Sequence, residues 1–251
     1  MKVQLCLSGG GARGFAHLGV AQALSEMNVE IVRISGTSAG AMAGSFIAAG
    51  FPPDEVLELF IKNELFKKFR GAFNKGLLKM GGVGPLFSKY LPEKFEDLKL
   101  PLFVAVTDIL SGKIHYLHDG KLMPAILGSS SIPGLFKPVK FNDMLLVDGG
   151  VLNNLPVEPL QKYNVPIMGV HVNPLGPISP PSTTWSVLER TFHLGVFSNT
   201  VYREEKCAIL IEPADLKSTK VFDYRKARES YKAGYDQVRR QSAEILQKLS
   251  K

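Results

Sequence analysis

The run Gly36-Thr37-Ser38-Ala39-Gly40 constrains this chain more than any other stretch. Val29 to Ile34 before it read as a strand, and Ala41, Met42, Ala43, Phe46, Ile47 and Ala48 after it read as a helix beginning near Ala39. Gly-x-Ser-x-Gly at a strand-to-helix joint is the pattern of a nucleophile elbow. A strained turn lifts the serine hydroxyl off the sheet, and the flanking glycines, Gly36 and Gly40, admit close backbone approach. Ser38 is therefore the leading nucleophile. The rival is a glycine-rich turn whose serine only caps the helix.

Upstream, Val3 to Leu7 form a short apolar strand, followed by Ser8-Gly9-Gly10-Gly11-Ala12-Arg13-Gly14 and a helix from about Phe15 to Met27. Leu18, Ala21, Gln22, Leu24 and Ser25 predict a narrow apolar face on that helix. Strand, glycine loop, helix, strand, elbow and helix together predict an α/β fold with parallel strands. Gly9, Gly11 and Gly14 also satisfy G-x-G-x-x-G, so a dinucleotide site has to be weighed. Such a site needs an acid about 20 positions on, at the end of the second strand, and Ile34, Ser35 and Gly36 stand there instead. Two uses of the loop remain open, an oxyanion hole of free backbone N–H groups at a helix N-terminus and a tight structural turn.

At 251 residues and 45% hydrophobic content the chain can bury a large core, and a single domain over residues 1–251 is expected. The net charge of +7 is too dispersed to point to nucleic acid, because no basic and aromatic binding module accompanies it. Cys6 and Cys207 support neither a disulfide framework nor a zinc site, and both are expected as free thiols. No metal-ligand cluster has a recognisable spacing, so no cofactor, calcium or zinc is expected. Met1 to Leu7 meets glycines at once and no run of 18 apolar residues occurs. A cytoplasmic chain, soluble or peripheral at the inner face of a membrane, is the expectation.

Leu65 to Met80 interleaves three phenylalanines with five basic residues. Phe66 to Met80 suits peripheral contact with an anionic membrane. The competing reading, a cap segment with its phenylalanines on the core, gains from the glycines at 71 and 76, which weaken a continuous helix. Leu102 to Asp108 and Lys113 to Leu117 read as a hairpin, Lys121 to Leu127 as a helix, and residues 128–138 as a loop. Leu145-Leu146-Val147 deliver Asp148-Gly149-Gly150 at a strand end, either as a functional carboxylate or as an Asp-Gly turn. Pro166 to Val172 predict a strand, Thr184 to Glu205 a helix, Ala208 to Ile211 a strand, and the tail from Tyr224 one surface helix with Tyr231, Tyr235, Val238, Ile245 and Leu249 on its covered side.

An elbow serine needs a base. None of the five histidines, His17, His115, His118, His171 and His193, falls in an evident loop after the last strand, where a hydrolase triad places one. Asp148 taking the serine proton directly is the alternative.

The set Gly9-Gly10-Gly11-Ala12-Arg13-Gly14, Gly36-Thr37-Ser38-Ala39-Gly40 and Asp148-Gly149-Gly150, in this order, resembles the patatin-like phospholipases, particularly their short bacterial members. The likeness extends through Ser129 to Val139 and Asn153-Asn154-Leu155-Pro156. It implies a three-layer α/β/α sandwich with a mainly parallel central sheet, and a serine lipid acyl hydrolase acting on a lipid or other acyl-ester substrate. Carried over by position, it implies Ser38 as nucleophile and Asp148 as general base. The loop Gly9, Gly10, Gly11, Arg13 and Gly14 then forms the oxyanion hole, its amides centred on Gly10 and Gly11. Ser8 stands where plant patatins have aspartate, and Asp-Gly-Gly where they have Asp-Gly-Ala. A noncatalytic lipid-binding protein and, less favoured, a dinucleotide module are the other classes carried forward.

Overall fold

The computed structural model describes residues 1–62, 84–177 and 180–250. Phe66 to Met80, the segment with the two competing readings, lies outside the described residues. The elements are β1 (Lys2–Leu7), α1 (Phe15–Glu26), β2 (Glu30–Thr37), α2 (Ala39–Ala49), α3 (Pro53–Lys62), α4 (Gly84–Phe87), β3 (Leu102–Asp108), β4 (Lys113–Leu117), α5 (Leu122–Ser129), β5 (Val139–Phe141), β6 (Met144–Asp148), β7 (Ile167–Val170), α6 (Thr184–Glu204), β8 (Ile209–Ile211), α7 (Ala227–Arg240) and α8 (Ser242–Leu249).

The strands form one mixed sheet in the order β5-β6-β3-β2-β1-β7-β8, with β4 also paired to β3. β3, β2, β1, β7 and β8 are mutually parallel, while β4 and β6 run antiparallel to β3 and β5 antiparallel to β6. The strand delivering Asp148 is thus not part of the parallel set, as its place in the sequence had suggested. It is the second arm of a hairpin whose first arm, β5, begins directly after the expected loop 128–138 and was not itself expected.

Side-chain alternation along the strands gives two cores. Val3, Leu5 and Leu7 of β1 and Leu102, Val104 and Val106 of β3 join the larger one, beneath α1, α2, α3 and α5. Cys6 and Phe103 point to the other face and pack with Leu155, Val157, Leu160 and Ile167. Helices on both faces make this a three-layer α/β/α sandwich.

α1 does not show the narrow apolar face expected of it. Phe15 to Ala21, Ala23 and Leu24 are all buried, because the helix is enclosed between the sheet and α7. Two glycines set that approach: a Cβ at Gly19 would stand 1.9 Å from the Tyr231 carbonyl oxygen, and one at Gly234 2.1 Å from that of Ala16. The tail is two helices rather than one, breaking at Gln241. Its expected inner face holds in part, with Val238 and Ile245 fully buried.

The feature that places the site is the edge of β3. Ala105 pairs with Thr37 on one side and Tyr116 on the other, and Val106 pairs with Asp148 on one side and His115 on the other. β4 therefore occupies one edge of β3, and β2 and β6 share the opposite edge. They approach from opposite directions, and their C-terminal ends meet between neighbouring residues of β3.

Candidate active site

Ser38 is the residue after β2, at φ 53° and ψ −118°, in the left-handed half of backbone space that a side chain rarely adopts. Its hydroxyl makes no capping bond to α2, which removes the plain helix-cap reading. The turn closes only because its neighbours are glycines. A Cβ at Gly36 would lie 2.6 Å from Gly40, and one at Gly40 would lie 2.3 Å from the Leu7 carbonyl oxygen.

Asp148 ends β6, and it and Ser38 line the same cavity, with the Ser38 side chain near enough to lower the carboxylate's pKa. Asp148 Oδ1 accepts from the Gly150 N–H at 2.8 Å, so the turn-forming role of Asp-Gly and the nearness to Ser38 coexist. Burial pushes the Asp148 pKa up from 3.8 to about 6, and the bond from Gly150 and the nearby Ser38 side chain only partly offset it. Gly149 is required by the meeting of β6 with β3, since a Cβ there would be 2.3 Å from the Ala105 carbonyl oxygen.

That carbonyl sits in the gap between the two strand ends. The Ser129 hydroxyl donates to it at 2.7 Å and accepts from the Ser38 N–H at 2.8 Å, filling the place of a missing ladder bond. Composition alone gave Ser129 no role; it lay in a serine-rich stretch read as loop, although α5 in fact ends on it.

The glycine loop divides its labour. The Gly9 N–H is committed to Asn154, bonding both its side-chain oxygen at 3.1 Å and its carbonyl at 3.3 Å. The Ala12 N–H bonds Val221 O at 2.7 Å and the Arg13 N–H bonds Gly10 O at 3.2 Å. Among the described residues, the amides of Gly10 and Gly11 have no protein acceptor, and both glycines line the cavity over Ser38. Gly9, Arg13 and Gly14, grouped with them from the sequence, make contacts that hold the loop in place. Arg13 Nε donates to Thr219 O at 2.7 Å and its Nη1 to Asn173 Oδ1 at 3.3 Å. Gly14 lets the loop come down on Ala39, where a Cβ would stand 2.5 Å from the alanine methyl.

A family model described as patatin-like phospholipase matches residues 5–160. The chain belongs to the patatin-like phospholipase family. An uncharacterised NTE family protein of Mycobacterium tuberculosis is 35% identical over 170 residues, covering 65% of this chain and 46% of that one. The lysophospholipase NTE1 of Cryptococcus neoformans is 29% identical over 191 residues, 71% of this chain and 12% of its own. The chain thus spans less than half the length of these curated relatives. Among solved structures, VipD from Legionella pneumophila superposes with a TM-score of 0.56 at 16% identity, over 95% of this chain and 66% of that one, a likeness of fold.

Around this patatin-like centre, two cavities lined by described residues meet at Ser38. One is a narrow apolar pocket of about 70 Å³ reaching Leu18, Met42, Phe60 and Phe136. The other is a chamber of about 620 Å³ bounded by the glycine loop, the 173–177 segment and the inner face of α6, with Arg13, Arg190 and Lys217 on its wall. Asn173 and Thr219 clamp the patatin loop, and Asn199 on α6 donates to Gly150 O at 3.0 Å and accepts from the Asn154 N–H at 3.1 Å. None of these was flagged from sequence, because single polar residues carry no pattern until the fold gathers them.

Of the histidines, His17 bonds the Ser8 carbonyl oxygen at 2.8 Å with its pKa pressed down to about 4 by burial. His171 sits by Glu204 and Glu212, and His193 lines the larger cavity. Among the described residues no helix is long and apolar enough to cross a membrane.

Proposed function

We propose that this chain hydrolyses carboxylic acyl esters of lipids, with Ser38 as nucleophile and Asp148 as its general base. The observation that carries this reading is the convergence of two strand ends on one cavity, which puts Ser38 beside a buried carboxylate whose pKa is raised to about 6. A carboxylate of ordinary pKa is a weak proton acceptor at neutral pH, and burial here makes it a stronger one while keeping it ionised above pH 6.

In the proposed cycle the Ser38 oxygen attacks the ester carbonyl as its proton passes to Asp148. The Gly10 and Gly11 amides face the developing oxyanion, in a site where pre-placed donors need no reorganisation. Collapse breaks the acyl C–O bond, and the leaving alkoxide takes the proton from Asp148 and departs as an alcohol. Water then attacks the acyl-serine, giving its proton to Asp148, and release of the fatty acid returns that proton to Ser38. The narrow apolar pocket suits the first few carbons of an acyl chain. The larger chamber, with its cationic side chains, suits the rest of a phospholipid or lysophospholipid.

Labelling with a fluorophosphonate, followed by mass spectrometry of the modified peptide, tests the assignment. Adduct on Ser38, abolished in Ser38→Ala together with turnover of a nitrophenyl ester, is the expected result. An unlabelled Ser38, or unchanged turnover in Ser38→Ala, removes the mechanism and leaves a lipid-binding protein.

A further inference from the structure

One surface has no part in the chemistry above. Thr184, Val187, Leu188, Thr191, Leu194, Gly195, Ser198, Val201 and Tyr202 are the exposed residues of α6 among its described side chains, and none is charged. At 3.6 residues per turn they fall within an arc of about 140°. The five large ones are between 42% and 56% exposed. A solvent-facing helix normally carries charge on that side, so a stripe without charge among the described side chains of a 21-residue helix marks a contact surface. Val151 and Leu152, exposed on the adjoining turn that Asn199 holds, extend it.

We infer that the outer face of α6 docks on an anionic lipid surface and delivers amphiphiles from it to the Ser38 cavity. Two observations choose that occupant over a second copy of the chain. Leu188 belongs at once to the exposed stripe and to the cavity wall, so the stripe runs up to the cavity mouth, which a second protein copy seated there would obstruct. Charge points the same way: exposed Lys217 stands on the cavity wall, Lys206 lies 5.3 Å over the Tyr202 ring at the far end of the stripe, and the chain carries +7. Two such chains repel one another, whereas an anionic bilayer attracts them. Tyrosine beside lysine is also the pairing that sits well at a headgroup boundary. The inference rests on the cavity being a lipid site, so docking and hydrolysis are read separately.

Docking is measured by flotation of Ser38→Ala protein with phosphatidylcholine vesicles, with and without phosphatidylglycerol. Hydrolysis is measured on a soluble short-chain ester with Ser38 intact. The expected results are binding that requires phosphatidylglycerol and weakens with salt. In the triple variant Val187→Ser, Leu194→Ser, Val201→Ser, vesicle affinity should fall about tenfold or more while soluble-ester turnover is unchanged. A second variant, Thr191→Asp with Ser198→Asp, removes nothing buried and should lose affinity for the anionic vesicles on a similar scale. Parental affinity in both variants, or no binding by the parent, overturns the docking surface. A parent that sediments as a dimer, becomes monomeric in the triple variant and keeps its vesicle affinity reassigns the stripe to self-association. Loss of soluble-ester turnover in Ser38→Ala beside absent vesicle binding leaves the hydrolase and removes only the docking.

Discussion

Thr37 and Asp148 lie opposite neighbouring residues of one strand, Ala105 and Val106, on the same edge of β3. Ser38 follows directly on Thr37, so the nearness of Ser38 to Asp148 is fixed by ladder register before any side chain is chosen. The bond from Ser129 to Ala105 O closes the gap between the two strand ends.

The first expectation concerns pH. If Asp148 accepts the proton, it must be ionised, so kcat/KM should rise with pH through about 6 and level off above it. Asp148→Asn should lower kcat by at least about a hundredfold and abolish that limb. A pH profile flat from 5 to about 8 in the parent enzyme removes Asp148 as base.

Stability should move the opposite way. Because burial raises this pKa, the folded chain holds the proton to higher pH than the unfolded one, and ionisation subtracts stability as pH climbs from 3.8 to about 6. Above that window the penalty is on the order of 3 kcal/mol. Asp148→Asn, which keeps an acceptor for the Gly150 N–H, should therefore be more stable than the parent above pH 6 by about 1–3 kcal/mol, the gap closing near pH 4. Denaturant titration at three pH values checks the sign.

Much of this was legible in advance. The elbow, the glycine loop and the aspartate could be read because each combines glycine with a reactive residue at a joint between periodic segments, and the family resemblance drawn from them holds. What could not be read was relational. Nothing in Leu145 to Asp148 tells a parallel from an antiparallel neighbour, since both present alternating apolar residues. Gly9 and Gly10 look equivalent in sequence, yet Asn154 takes the amide of one and leaves that of the other. The motifs read from the sequence end at Pro156, while Thr219 and Val221, far beyond it, hold the glycine loop.

Ser129 gives a third test. Ser129→Ala leaves the Ala105 carbonyl and the Ser38 amide without their shared partner in a buried gap, at a cost of about 1–3 kcal/mol. Because Ser129 positions Ser38 rather than touching substrate, kcat should fall about tenfold or more with KM little changed. An unaltered kcat shows that the elbow holds itself.

Backbone strain gives a fourth. Ser38→Ala keeps the φ of 53° with a Cβ, whereas Ser38→Gly releases it, so the glycine variant should be the more stable by about 1 kcal/mol. Gly40→Ala should lose about 3 kcal/mol or more against the Leu7 carbonyl. Equal urea midpoints for Ser38→Ala and Ser38→Gly contradict the strain.

A fifth separates the serine-and-carboxylate scheme from one needing imidazole. His193 lines the cavity, and with Asp148 as base His193→Ala should change kcat by less than about tenfold. A loss of two orders of magnitude or more reassigns the proton acceptor.

The end-to-end meeting of β2 and β6 also sets how this protein can fail. Sliding β6 by two positions along β3 keeps every apolar side chain on its proper face, yet carries the carboxylate roughly 6.6 Å from the hydroxyl. Such a molecule would be compact, soluble and inert. Preparations of this protein are therefore better judged by the fraction of chains titrated by a serine-directed probe than by helicity or melting temperature, neither of which senses that slip.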